Sequence, residues 1–216
     1  MNNTRKTLSL FLVLPLLLLL TACNEVENDS RSASLLVLEG LLGSTSDGTE
    51  ANFLQSDVLK MMEGGGGTII ADTAVATFRV QSLDPAPVMG PSPYGDVILD
   101  RYTVSYSRTD GRNNPGTDVP YPFEGSLSAL VPLGGTTQVS IVVVREAAKL
   151  EPPLIGLVDL GAEVVLTATA KVEFYGHDLV NNRVKATGYL TIYFANYAEE
   201  EPPPPAGAAG RSQRPW

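Results

Sequence analysis

The sequence predicts an all-β fold, an antiparallel two-sheet β-sandwich of about seven to eight strands. Three observations carry this. Apolar and polar residues alternate with a period of two in segment after segment, as in strands with one buried and one wet face. Val, Thr and Tyr are common in those segments, and Gly- and Pro-rich breaks separate them. Sustained helical periodicity is missing from all 216 residues.

Taken in order, residues 34–42 (SLLVLEGLL) read as the opening strand. Residues 55–63 (QSDVLKMME) are the best helical exception, one or two turns ended by Gly64 to Gly67. Ala74, Ala76, Phe78 and Val80 then alternate with Thr73, Thr77, Arg79 and Gln81. Tyr102, Val104 and Tyr106 share one face of the next strand, which predicts that both tyrosines pack inward. Residues 126–131 and 136–144 give two more strands, joined through Pro132 and Gly134-Gly135. The clearest pattern is the last. Every even position from Val164 to Phe174 is apolar, and Val184, Ala186, Leu190, Ile192 and Phe194 repeat it. The turn-rich stretch 176–182 (GHDLVNN) between them makes the pair a long antiparallel hairpin.

Over residues 68–197 the strand order and final hairpin resemble bacterial immunoglobulin-like or fibronectin-type modules. The resemblance is one of pattern. The disulfide and core tryptophan of antibody domains are absent, because Cys23 is the only cysteine and Trp216 lies in the tail. A jelly roll is the competing all-β arrangement.

The front of the chain follows another logic. Arg5 and Lys6 precede an uncharged apolar run at residues 8–20, the order of a secretory signal. As a helix that run spans roughly 20 Å, short of the roughly 30 Å hydrocarbon core, and Pro15 interrupts it. It ends in Leu20-Thr21-Ala22-Cys23, which resembles the lipobox of bacterial lipoprotein precursors. The resemblance implies cleavage before Cys23, a diacylglyceryl group on its thiol, and a membrane partner reached through that lipid. Asn24, where an aspartate commonly retains such proteins in the inner membrane, implies sorting to the outer membrane.

Four regions result: a signal peptide at 1–22, a lipidated flexible tether at 23–34, a β-sandwich domain at 35–198, and a Pro-rich tail at 199–216 that reads as a polyproline spacer running into disorder. Removing 1–22 takes away two positive charges and no acid, moving the net charge from -9 to -11. An acidic chain without a basic cluster argues against nucleic acid as a partner.

Little in the sequence marks chemistry, and no cofactor is expected. His177 is the only histidine and falls in the predicted turn; no Gly-x-Ser-x-Gly elbow accompanies it. Gly64 to Gly67 lacks the Gly-Lys-Ser/Thr ending of a phosphate loop and leads into a β pattern. In the loop 109–119, Asp110, Asn114 and Asp118 supply hard oxygen ligands of the kind calcium takes. Arg112 and Pro115 break the EF-hand series, however, and turn chemistry accounts for the loop without a metal. Tyr121 and Phe123, flanked by prolines, are the best aromatic candidates for partner contact.

Three functions stay open. The first is a non-catalytic envelope module contacting protein or polysaccharide. The second is a carbohydrate- or ligand-binding surface lipoprotein, which exposed aromatics along one sheet face would favour. The third is a hydrolase with an unrecognised site, which convergent polar residues in a deep pocket would favour.

Overall fold

The computed structural model describes residues 32–61, 66–84 and 92–197. Cys23 and the Pro-rich tail lie outside the described residues, as do all of the signal segment and most of the tether.

The described strands are β1 (Ser34–Ser44), β2 (Glu50–Ala51), β3 (Phe53–Asp57), β4 (Lys60–Met61), β5 (Gly67–Thr68), β6 (Asp72–Ser82), β7 (Val97–Ser107), β8 (Phe123–Val131), β9 (Thr136–Val144), β10 (Leu166–Asp178) and β11 (Arg183–Ala195). Two sheets pack face to face, ordered β2-β1-β6-β9 and β3-β11-β10-β7-β8, while β4 and β5 form a small separate ladder. The fold is therefore the all-β sandwich read from the alternation. With the seven long strands lettered A, B, C, C′, E, F and G in chain order, β1, β6 and β9 stand as A, B and E on one sheet. β11, β10, β7 and β8 stand as G, F, C and C′ on the other, an immunoglobulin-like partition.

One pairing departs from the antiparallel expectation. After β1 the chain crosses to the second sheet, where β3 runs parallel to β11, with Leu54 opposite Ile192 and Ser56 opposite Phe194. This corrects the helix expected at 55–63. Leu54, Ser56 and Val58 are all buried, a period of two with a serine at its centre. A buried serine breaks the apolar count, so the segment looks polar until Ser56 is given a partner.

The core lies between the sheets. Phe78 of β6 meets Phe174 of β10 edge to face at 4.7 Å, worth about 0.5–1.5 kcal/mol beyond area burial. Tyr102 and Tyr106 face inward as expected, and their hydroxyls bridge the sheets. Tyr106 donates to the Val143 carbonyl at 2.6 Å, and Tyr102 accepts from the Val142 N–H at 3.2 Å. Burial raises both phenol pKa values, so both stay protonated near neutrality. Gly125 of β8 makes room for Tyr102: a Cβ there would stand 2.4 Å from the ring.

β10 and β11 bury the expected even positions from Ala168 on, but Val164 is 42% exposed, and β10 starts at Leu166 and runs on through Gly176, His177 and Asp178. The turn is thus only residues 179–182, and His177 belongs to a strand. Ser32 and Ser34, placed in the tether from sequence, are buried in the fold. The Ser32 hydroxyl bonds Asp178 at 3.1 Å, the Ser34 hydroxyl donates to the Gly95 carbonyl at 2.7 Å, and the Leu83 N–H donates to the Ala33 carbonyl at 2.9 Å.

Candidate functional site

At the end of the sandwich away from Ser32, the β1–β3 crossover, β6 and a short helix α1 (Glu146–Lys149) surround a cavity of about 190 Å³. Ser44, Gln55, Asp57, Lys60, Asp72 and Lys149 line it. Its floor is a closed cluster. Lys149, its side chain 2% exposed, places Nζ 2.9 Å from Asp72 Oδ2 and donates to the Asp57 carbonyl at 2.7 Å. The Ser56 hydroxyl donates to the same Asp72 oxygen at 2.6 Å. Burial raises the Asp72 pKa, although Lys149 and Ser56 both pull it down. Asp57 is also pushed up by burial, against the Tyr197 and Leu59 N–H groups.

A Ser-Lys mechanism needs an accessible hydroxyl next to a base with a free lone pair. Here Ser56 is fully buried and donates its hydrogen bond to a carboxylate, while the Lys149 ammonium is spent on two acceptors. The arrangement ties β3, β6 and α1 together and presents no nucleophile.

The loop after β7 does not gather its oxygen ligands. Asp110 pairs with Arg108 and takes the Arg112 N–H at 3.1 Å. Asp118, 5% exposed, accepts from Asn114 Nδ2 at 2.7 Å and from the Arg112 guanidinium at 3.1 Å. Hydrogen bonds from Arg108 lower the Asp110 pKa, and those from Asn114 lower that of Asp118. Two guanidinium groups thus occupy the charges a calcium ion would take. Among the described residues no group of three His, Cys, Asp or Glu converges. Tyr121 is half exposed, whereas Phe123 is the first residue of β8 and partly buried, edge-on to Tyr102 and under the Arg145 guanidinium at 4.7 Å. His177 places Nδ1 3.4 Å from Asp100.

The outer face of the five-stranded sheet is the more distinctive surface. Tyr175 of β10 stands in register between Arg101 of β7 and Lys185 of β11, with the Arg101 guanidinium 4.0 Å from its ring centre. One step along, Glu173 bridges Lys171 and Lys185, 2.8 Å from each. Tyr189, 65% exposed, lies opposite Lys171, and Tyr193 packs edge-on to Phe53 of β3 at 5.6 Å. Threonines fill the positions between, at 167, 169, 187 and 191. Strand parity already put Tyr189 and Tyr193 outward. What the sequence alone did not provide was the neighbour, since only the β10–β11 register sets Tyr189 opposite Lys171 and Tyr193 opposite Thr167. No protein-family model and no curated protein sequence matches the chain.

Proposed function

We propose that the protein is a lipid-anchored lipoprotein of the bacterial envelope whose β-sandwich acts as a non-catalytic binding or structural module. The observation that carries this reading is Leu20-Thr21-Ala22-Cys23 closing an uncharged apolar run. The lone cysteine then has a use that needs no thiol partner, and two or three acyl chains on one residue hold a protein durably where one would not. No helix among the described residues is long and apolar enough to cross a membrane.

Fatty-acid-analogue labelling tests the anchor. Cys23→Ser abolishes incorporation and leaves a soluble or unprocessed chain, and equal label in mutant and wild type sinks the reading.

The row of Tyr175, Tyr189 and Tyr193 favours one version of this function, a module that holds an envelope polysaccharide or protein against the outer sheet face. Aromatic faces with flanking hydroxyls and charges suit sugar rings and protein side chains alike. Tyr189→Ala weakens capture of that partner from crosslinked envelopes while leaving the melting temperature within about 2 °C, as expected of a surface change. Capture unchanged by Tyr189→Ala and by Tyr193→Ala removes this face from the reading.

A further inference from the structure

The end of the sandwich that receives the N-terminal segment also carries large apolar side chains that stand exposed among the described residues. The tip of the β10–β11 hairpin is Leu179-Val180-Asn181-Asn182. Turns of this kind normally take Gly, Asn, Asp or Ser, yet Leu179 and Val180 stand 44% and 59% exposed. Tyr94 at 64% and Leu83 at 61% flank the same end. Ser32 and Ser34 stitch these parts together, through Asp178 at the base of the tip, Gly95 beside Tyr94, and Ala33 bonded to Leu83.

We infer that this end is a membrane-docking surface: Leu179, Val180, Tyr94 and Leu83 enter the interface of the lipid layer that holds the Cys23 anchor. The inference rests on lipidation at Cys23. Chain length selects the end. Cys23 and Ser32 are nine residues apart, so the fully extended chain reaches at most about 32 Å, and its root-mean-square span is roughly 15–18 Å. β10 has 13 residues and is about 40 Å long. If the domain stood on its other end, Ser32 would be about 40 Å from the lipid, beyond the reach of the tether. The apolar side chains of the opposite end, such as Ile155 and Leu160, therefore face away from the membrane. The four tip residues carry no charge, so the tip can approach lipid although the chain as a whole is acidic. Tyr94 has the apolar ring and polar end that suit the headgroup boundary.

The full lipidated chain, reconstituted in phosphatidylethanolamine/phosphatidylglycerol vesicles, decides the matter. Cys23 is consumed by the lipid, so Val180→Cys, Tyr94→Cys or Ile155→Cys supplies the one free thiol for an environment-sensitive dye. Spin-labelled lipid is expected to quench the dye at 180 and 94 by at least half, with a blue-shifted emission, and to leave 155 unchanged. Leu179→Asp introduced beside the dye at 94 should cut that quenching at least twofold. Equal quenching at 155 and 180, or none at 180 and 94, in a chain that floats with the vesicles overturns the docking proposal and leaves the anchor standing. A wild-type chain that neither floats nor carries the acyl mass on Cys23 overturns the anchor, and docking with it.

Discussion

Asp178 and Asp72 are acids closed into opposite ends of one sandwich, the first 1% exposed and the second with 18% of its side chain exposed. Asp72 has an ammonium 2.9 Å away, and burial still raises its pKa. Asp178 is held by neutral donors. Its Oδ1 accepts from the N–H groups of Val180 and Asn182 at 3.1 and 2.8 Å, and its Oδ2 from Asn182 Nδ2 and the Ser32 hydroxyl at 2.9 and 3.1 Å. Burial pushes it up more than any single donor pulls it down, yet together the four donors bring its pKa below the usual range. Four aimed dipoles thus lower the pKa of one acid, while burial keeps that of the other raised despite its ammonium and the Ser56 hydroxyl. The turn backbone supplies two of those dipoles at no cost in side-chain entropy.

The sharpest way to break the comparison is at Lys149. Lys149→Met leaves Asp72 buried with only Ser56 to hold it, and should cost about 3 kcal/mol at neutral pH, the scale for removing one partner of a buried pair. The double change Lys149→Met with Asp72→Asn should return to within about 1 kcal/mol of wild type, because a paired ion and a neutral pair of similar size are close in stability. Urea unfolding of the three chains checks both. A single Lys149→Met within about 0.5 kcal/mol of wild type would mean that water, entering from the cavity, already carries the charge.

Asp178→Asn should cost about 2 kcal/mol, since it replaces an oxygen acceptor by a donor facing other donors. The pH profiles then separate the two acids by sign. The folded pKa of Asp178 is lowered, so its contribution is present above the unfolded value of about 3.9 and is lost as pH falls through the folded one. The gap between wild type and Asp178→Asn therefore closes below about pH 4. The folded pKa of Asp72 is raised, so its contribution is largest below about 3.9 and is lost as pH rises through the folded value. Asp72→Asn removes that loss, so relative to wild type it gains stability as pH rises past about 4, opposite in sign to Asp178→Asn. Parallel profiles for the two variants would show that the acids do not differ as described.

The same contrast explains what could be read from the sequence. Strands β6, β7, β10 and β11 were legible because their buried positions are apolar or aromatic, so parity alone places them. β3 was not, because Ser56 takes a core position and only Asp72, 16 residues on, makes a serine acceptable there. His177 was misplaced for a similar reason. Gly176, Asp178 and Asn182 read as turn residues, whereas Asp178 is the buried acceptor on which a much shorter turn is built. The binding face was half legible. Parity set Tyr189 and Tyr193 outward, but the pairing of Tyr175 with Arg101 depends on β7 lying next to β10, which no local pattern encodes. Tyr121 and Phe123 looked alike in sequence and part company because only Phe123 joins β8 and packs against Tyr102.

Glu173 supplies the mildest term of the comparison, a carboxylate on an open sheet face with two lysines at 2.8 Å. Hydrogen bonds from Lys171 and then Lys185 lower its pKa, as the four donors do for Asp178, but here both partners are long lysine side chains on the outer sheet face, Lys171 41% and Lys185 17% exposed. Holding them costs entropy, and water competes for every charge, so the pair energies fall in the range of 0 to about 1 kcal/mol. Glu173→Gln should therefore cost no more than about 0.5 kcal/mol in low salt, and nothing measurable in 1 M NaCl, where the screening length falls to about 3 Å. The Asp178→Asn deficit should keep most of its size in the same salt, because its donors are neutral and shielded from solvent. Salt dependence, more than the size of the effect, thus distinguishes a carboxylate held by lysine charges from one held by the fold. A Glu173→Gln deficit that survives 1 M NaCl would place Glu173 with Asp178, and the outer face would then be a fixed part of the sandwich instead of a surface free to adapt to a partner.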